Sequence, residues 1–582
     1  MLILRPDTDR LIREALTRSI RVARGLEPAD LVLKNGKIIN VFSGDIHSGT
    51  VAVAGGTVVG IGDYAGREEV DLKGAYLAPG FVEGHIHIES SMLTPVEFAR
   101  AVIPHGTTTV VADPHEMANV LGLEGINFMI EQSLGLPMTI FFMIPSCVPS
   151  SPLETSGAAL SAREIHYFLH EDNVLGLGEV MNFPAVLAGE AAILEKIIAT
   201  GDKRIDGHCP GLRGKDLNAY IVAGMKSDHE SVSIDEAKEK LRLGMHVMVR
   251  EGSTAKNLST LAPLVRELSH VRMSLITDDK HPVELADDGH MDSLLRRAVA
   301  CGIDPVIAIQ MVTINPAKYF QTSHIGGIAP RYFADFVVLE DLKNFKVLQV
   351  YFRGRQVARN GQMTVEIPNM AATKLRASMN INWSTWQGLA IPAAGRKVRA
   401  IVYEPGQLTT GSEVVEIDVE DGFAVANAGR NLAKIAVVER HKATGNVGLG
   451  FIKGFGIKRG AIASSVAHDA HNVICIGVTD RDMETAIRKV SDSEGGVVVV
   501  IDGAVRAALP LPIGGLMSDR PLAEVTAMVR ELQRVASETG CPHPDPVTAL
   551  SFLALPVIPS LKLTDLGLAD VELFRLRPLF EP

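Results

Sequence analysis

The chain has 582 residues and 46% hydrophobic content, enough for roughly three or four domains with large buried cores. Its formal net charge of −11 and its 5% aromatic content, with two tryptophans, argue against a nucleic-acid surface, base stacking or a polybasic membrane anchor. Five scattered cysteines without a CxxC pair read as reduced thiols of a cytoplasmic protein, and no apolar run reaches the roughly 20 residues that span a bilayer.

Residues 1–25 read as a charged, amphipathic lead helix that lacks the apolar core and cleavage site of a signal peptide. From Ala29, short strands (Asp30–Lys34, Lys37–Val41, Thr50–Ala54, Thr57–Ile61) alternate with Gly-rich turns, the pattern of a small β-sandwich whose first part covers 26–76. Between 77 and 325, apolar strands alternate with helical segments such as Pro95–Ile103, Ala192–Ala199, Asp235–Arg242 and Asp292–Ala300. The expected strands are Leu77–His87, Gly106–Asp113, Met138–Pro145, Val174–Glu179, Arg204–His208, Tyr220–Ser227, Gly244–Arg250 and Arg272–Thr277. Continuous apolar runs are typical of parallel strands buried on both faces, and eight βα repeats predict an α/β protein built on a (β/α)8 TIM-like barrel; a doubly wound sheet is the alternative. Gly327–Leu339 and Val347–Arg353 return to β patterning, so 326–380 is expected to be the second part of the flanking sandwich. After the polar, linker-like stretch Pro368–Leu389, residues 395–582 read as a separate C-terminal α/β or α+β domain, with strands at Ile435–Val438 and Gly496–Ile501 and a helix over Leu522–Thr539.

The first barrel strand ends in His85 and His87. On a strand, residues i and i+2 share a face, so both imidazoles can converge on one ion of Zn, Mn or Fe. Alone, such a pair also fits an ordinary surface or core position. The other strands, however, end similarly: Asp113, His115 and Glu116; Glu179; His208; His229; Arg250 and Glu251; Asp278 and Asp279. In a barrel these ends share one face, where active sites are built. Unrelated core histidines would have no reason to gather there.

The phrases LVLKNGKIINV, LKGAYLAPGFVEGHIH and GIAPRYFADFVVLEDL, from Ala29 to about residue 360, resemble the amidohydrolase superfamily of metal-dependent hydrolases. That pattern has His-x-His after strand one, a bridging ligand after strand four, histidines after strands five and six, and an aspartate after strand eight. By this resemblance the metal ligands are His85, His87, Glu179, His208, His229 and Asp278. Within the superfamily, PGFVEGHIHIESSM, HGTTTVVADPHE, GLGEVMNFP, DGHCPG, SDHES, LITDD and SSVAHDAHN closely resemble the bacterial adenine deaminase family over nearly the whole chain. The resemblance implies conversion of adenine and water to hypoxanthine and ammonia in purine salvage. It also implies two divalent metal ions per chain, with Mn2+ or Fe2+ favoured and Zn2+ also suited, and a homo-oligomer. Hydantoinase- and dihydroorotase-like members usually carry a carboxylated lysine after strand four. Glu179 stands at that position here, which weakens the alternative of a cyclic-amide or N-acyl hydrolase.

On this pattern His85, His87 and Asp278 would hold one metal, His208 and His229 the other, and Glu179 would bridge them. Asp278 is the expected proton shuttle, with Glu179 competing for protonation of purine N1. Glu89, Asp113 and His115 are candidates for binding the purine, or for orienting the metal histidines from behind. Arg250 and Glu251 read as a mutual ion pair. Ser464–Asn472, with His468, Asp469 and His471, reads either as a structural loop or as one that covers the barrel mouth and completes the purine pocket.

Overall fold

The computed structural model describes residues 6–368, 375, 377–405 and 407–581. Residues 1–5 of the expected lead helix, 369–374 and 376 where the second sandwich part gives way to the linker, and 406 and 582 of the C-terminal domain lie outside the described residues.

Eight parallel strands form the central element. β1 (Phe81–Ile86), β2 (Thr107–Ala112), β3 (Thr139–Ile144), β4 (Val174–Val180) and β5 (Arg204–Gly207) pair in sequence order. β6 (Ser227–Asp228), β7 (His246–Arg250) and β8 (Met273–Ile276) form a second run. The runs join where Lys226 N donates to Ile205 O at 3.0 Å, and the ring closes where Ile86 pairs in parallel with Asp278. Every residue of β1, β2, β7 and β8 is buried, as expected for strands packed between a barrel interior and a ring of helices. The result is a (β/α)8 barrel.

Two strand expectations are corrected. Tyr220 belongs to the helix Gly214–Val222, and the sixth strand is only Ser227–Asp228. Leu217 and Tyr220 lie three residues apart on one buried helical face, and the Tyr220 hydroxyl donates to Val180 O (2.7 Å) while accepting from His208 N (3.0 Å). The run is apolar because a helix packs on the strand ends, not because it is a strand. The stretch Leu77–His87 divides at Gly80. Tyr76–Pro79 pairs antiparallel with Phe336–Leu339, outside the barrel, and a Cβ at Gly80 would lie 2.1 Å from Thr108 Oγ1. Only glycine lets the chain step there from one sheet to the other.

Chain segments from both sides of the barrel share one nine-stranded sheet. Against it lies the helix Pro6–Ala23, fastened by Val22 in a small apolar cluster and by Tyr64 Oη donating to Ala23 O at 2.9 Å. The C-terminal region is an α+β domain. Its eight-stranded, largely antiparallel sheet is packed by the helices Asp480–Asp492 and Leu522–Glu538. It docks tightly on the barrel: Met117 and Val120 belong to the same buried cluster as Ile435, Ile462, Ile474 and Val497. Ser518 N donates to Met92 O (2.8 Å) and Asn472 Nδ2 to Thr155 O (2.8 Å). Each buried aliphatic side chain at such a junction contributes roughly 1.5–3 kcal/mol, so the C-terminal domain is held over the C-terminal ends of the barrel strands. All five cysteines are free thiols. No helix among the described residues is long and apolar enough to cross a membrane.

Candidate functional site

The backbone sets the first part of the site. Asp278 N donates to His85 O (3.1 Å) and His87 N to Asp278 O (3.0 Å), so barrel closure itself brings the paired histidines against the aspartate. His85 Nε2 and His87 Nε2 lie 3.2 and 3.0 Å from Asp278 Oδ1. β4 delivers Glu179. A Cβ on the preceding Gly178 would fall 2.1 Å from Asp113 Oδ2, so only glycine leaves room for Asp113 to accept the Glu179 N–H at 2.9 Å.

Glu179 sits at the centre of four imidazoles. Its Oε1 is 3.3 Å from both His87 Nε2 and His115 Nδ1, while its Oε2 is 2.7 Å from His208 Nδ1 and 3.1 Å from His229 Nε2. The structure therefore gathers all six expected ligands, although they come from distant parts of the chain. All are buried except His208, whose side chain is 23% exposed. His85 Nε2, Asp278 Oδ1 and His115 Nδ1 are buried without a hydrogen-bond partner, although their neighbours are within contact distance. Leaving such an atom unsatisfied costs roughly 1–3 kcal/mol. Converging imidazole nitrogens and carboxylate oxygens form a donor set that suits Zn, Mn or Fe, and these residues fit a divalent metal.

The three residues expected at the substrate separate. Glu89 lines an inner cleft of about 20 Å3, with Ser90, Asp279, His468 and Phe552. Its Oε2 has no partner, and burial, aided by the charge of Glu116, pushes its carboxyl up to about 7. Asp113 and His115 instead turn to the ligands. Asp113 O faces His87 Nδ1 at 2.8 Å, and the His115 ring lies 4.3 Å from that of His87. The inner cleft opens on a chamber of about 550 Å3, and the two share Met92, Thr254, His281, Thr548 and Phe552.

Arg250 is a correction. It pairs not with Glu251, which binds Arg297 at 3.2 Å, but with Asp278 Oδ2 (2.5 Å), Asp279 Oδ2 (3.2 Å) and Glu230. Burial alone would raise the Asp278 carboxyl. The charge of Arg250, with the imidazoles of His85 and His87 close to Oδ1, outweighs it and holds that carboxyl well below the usual carboxylate range. Glu230 was also missed, and its position directly after His229 was the available signal. Arg250's choice among four carboxylates has no local signature.

Residues 76–357 match the profile of the amidohydrolase family, and residues 407–575 that of the adenine deaminase C-terminal domain. The chain is 47% identical over 564 residues to an adenine deaminase of Dehalococcoides mccartyi, covering 97% of this chain and 99% of that protein. It is 47% identical over 561 residues to adenine deaminase 2 of Carboxydothermus hydrogenoformans, covering 96% and 98%. An adenine deaminase of Archaeoglobus fulgidus is 46% identical over 564 residues, covering 97% and 98%. With that identity sustained from end to end, and with both the barrel and the C-terminal domain matched, the chain belongs to the adenine deaminase family of amidohydrolases.

Proposed function

We propose that the chain hydrolyses adenine to hypoxanthine and ammonia, as a cytoplasmic purine-salvage enzyme. The carrying observation is the end-to-end identity to adenine deaminases, and those relatives do not favour the cyclic-amide or N-acyl alternative. The protein binds a divalent metal; two ions per chain, Mn2+ or Fe2+, are the reading the family resemblance favours, and the ligand set accommodates them. His85, His87 and Asp278 would hold one, His208 and His229 the other, and Glu179, with each oxygen facing a different histidine pair, would lie between them. When bound, such ions supply Lewis acidity that makes water nucleophilic near neutral pH.

The chain's own residues manage protons and position. Attack at purine C6 leaves negative charge on the ring unless a ring nitrogen is protonated, and the departing amino group also needs a proton. Asp278, held anionic by Arg250, is fitted to accept a proton from water and pass it on, a kind of assistance worth roughly 10²–10⁴-fold. Glu179, with both oxygens against imidazoles, is poorly placed to donate. Glu89 faces the cleft with a carboxyl near 7, so near neutrality it can present O–H to a ring nitrogen or accept from a ring N–H.

The test is hypoxanthine formation by the purified Mn-loaded protein from adenine, adenosine and cytosine. Adenine should react, and His87→Ala and Asp278→Asn should each lower turnover by at least about 100-fold. Adenine left unchanged by the wild-type protein would refute the activity. Wild-type rates in either variant would refute the roles.

A further inference from the structure

The C-terminal domain carries an aromatic side chain into the inner cleft. His468, which follows the strand Ala461–Ser464, lines that cleft with Glu89 and Phe552. Its backbone N–H donates to Ser551 O at 3.1 Å, and its ring stacks on Phe552 at 4.6 Å with 19° between planes. One ring edge is taken by the barrel: His468 Nδ1 lies 3.1 Å from Glu116 Oε1. Glu116 is 1% exposed and also accepts from Ser90 Oγ at 3.4 Å. A carboxylate accepts only, so Nδ1 carries a proton and the opposite edge, with Nε2, is left for the cleft.

Glu116, His468 and His471 lie close enough together to suggest a further cation site. The tautomer of His471 argues against it. His471 Nδ1 accepts the Ala467 N–H at 3.1 Å, so the neutral ring carries its proton on Nε2, 3.8 Å from Glu116 Oε2. That nitrogen offers a proton, not a lone pair. The trio is an orienting unit for His468.

We propose that His468 is a further substrate-binding residue, held through Nδ1 by Glu116 and presenting Nε2 to an edge of the purine ring. The inference rests on the adenine reading above. A planar heteroaromatic ring needs polar partners at its edge and apolar surface at its faces. Glu89 from the barrel and His468 from the C-terminal domain supply edge partners, and Val466 and Phe552 supply apolar walls.

Two substitutions separate the two ring edges. Asparagine places its amide nitrogen near the position of Nδ1 and keeps the Glu116 contact; glutamine places its own near Nε2 and keeps the cleft-facing group. His468→Asn should raise KM for adenine at least ~10-fold and His468→Gln at most ~3-fold, the loss of one hydrogen bond to a ring nitrogen. Metal content and thermal midpoint should stay at wild-type values in both. KM within ~2-fold of wild type in His468→Asn, or a glutamine variant impaired as much as the asparagine one, overturns the assignment, because a merely structural role through Glu116 gives that order. Wild-type protein inactive on adenine would instead defeat the function itself. Wild-type activity shared by His468→Asn defeats only this inference.

Discussion

Asp278 is the residue on which the proposed chemistry turns, and Arg250 is the cation beside it that holds it anionic. The guanidinium reaches Asp278 Oδ2 at 2.5 Å while Oδ1 faces His85 and His87. The two oxygens thus have different neighbours, one facing the guanidinium and the other facing two candidate metal ligands. In Arg250→Gln the carboxyl loses its cationic neighbour and its pKa rises. A group that must be ionised to accept a proton then becomes protonated at higher pH, so the acid limb of the kcat/KM profile should move upward. Loss of a partner of this kind should also lower kcat/KM about 10–100-fold. The pH–rate profile of the variant checks both; an acid limb that does not move means Arg250 does not set the charge of Asp278.

At the scale of elements, what was legible in the sequence is what the chain writes locally. Thr107–Ala112 and Val174–Val180 are apolar runs that end in ionisable residues, and they are barrel strands. His85, His87, Glu179, His208, His229 and Asp278 stood out in the sequence because each lies at or just past the C-terminal end of a strand, where the family resemblance expects a ligand. Ser227–Asp228 was not, because a two-residue polar strand carries no periodicity. Nor was the pairing of Glu116 with His468, which depends on how two domains dock. A similar long-range contact joins two helix N-termini. His281 precedes the helix Pro282–Asp287, and Asp545 caps Pro546–Ser551 by accepting from Thr548 N; the two side chains meet at 3.2 Å. For His281, burial lowers the pKa but the hydrogen bond and charge of Asp545 win, and it rises above the ordinary 6.5. Its contribution to stability is therefore full below 6.5 and is lost as pH rises through the higher folded value. For Asp545, burial raises the pKa but His281 wins, and it falls below 3.8. Its contribution is present above 3.8 and is lost as pH falls through the lower folded value. The pair is strongest between those limits. Asp545→Asn keeps the cap and removes the charge, so it should cost about 1 kcal/mol near pH 6 and much less near pH 9. Thermal midpoints at the two pH values check it, and an equal loss at both means the ion pair contributes nothing.

At the scale of the whole molecule, the barrel carries the six candidate metal ligands and residues of both domains line the inner cleft, so on the proposed function substrate affinity should depend on docking even where no site residue changes. Gly514 provides a way to disturb docking alone. Its φ is +64°, and a Cβ there would lie 2.8 Å from Sδ of Met117. Met117 sits in the first turn of the helix His115–Ser133, directly after Glu116. Gly514 O accepts from Arg440, whose Nε also binds His471 O, so one buried guanidinium ties the turn Ile513–Ser518 to the His468 loop. In Gly514→Val, a β-branched side chain in the left-handed region costs about 1–2 kcal/mol, and it presses on the barrel helix that carries Glu116. None of the six candidate ligands lies in this turn, so metal content should be unchanged. KM for adenine should rise roughly 10-fold, and amide exchange across Ile513–Ser518, where Ser518 N donates to Met92 O, should quicken. If exchange quickens while KM holds, the cleft is shaped by the barrel alone and the C-terminal domain takes no part in binding.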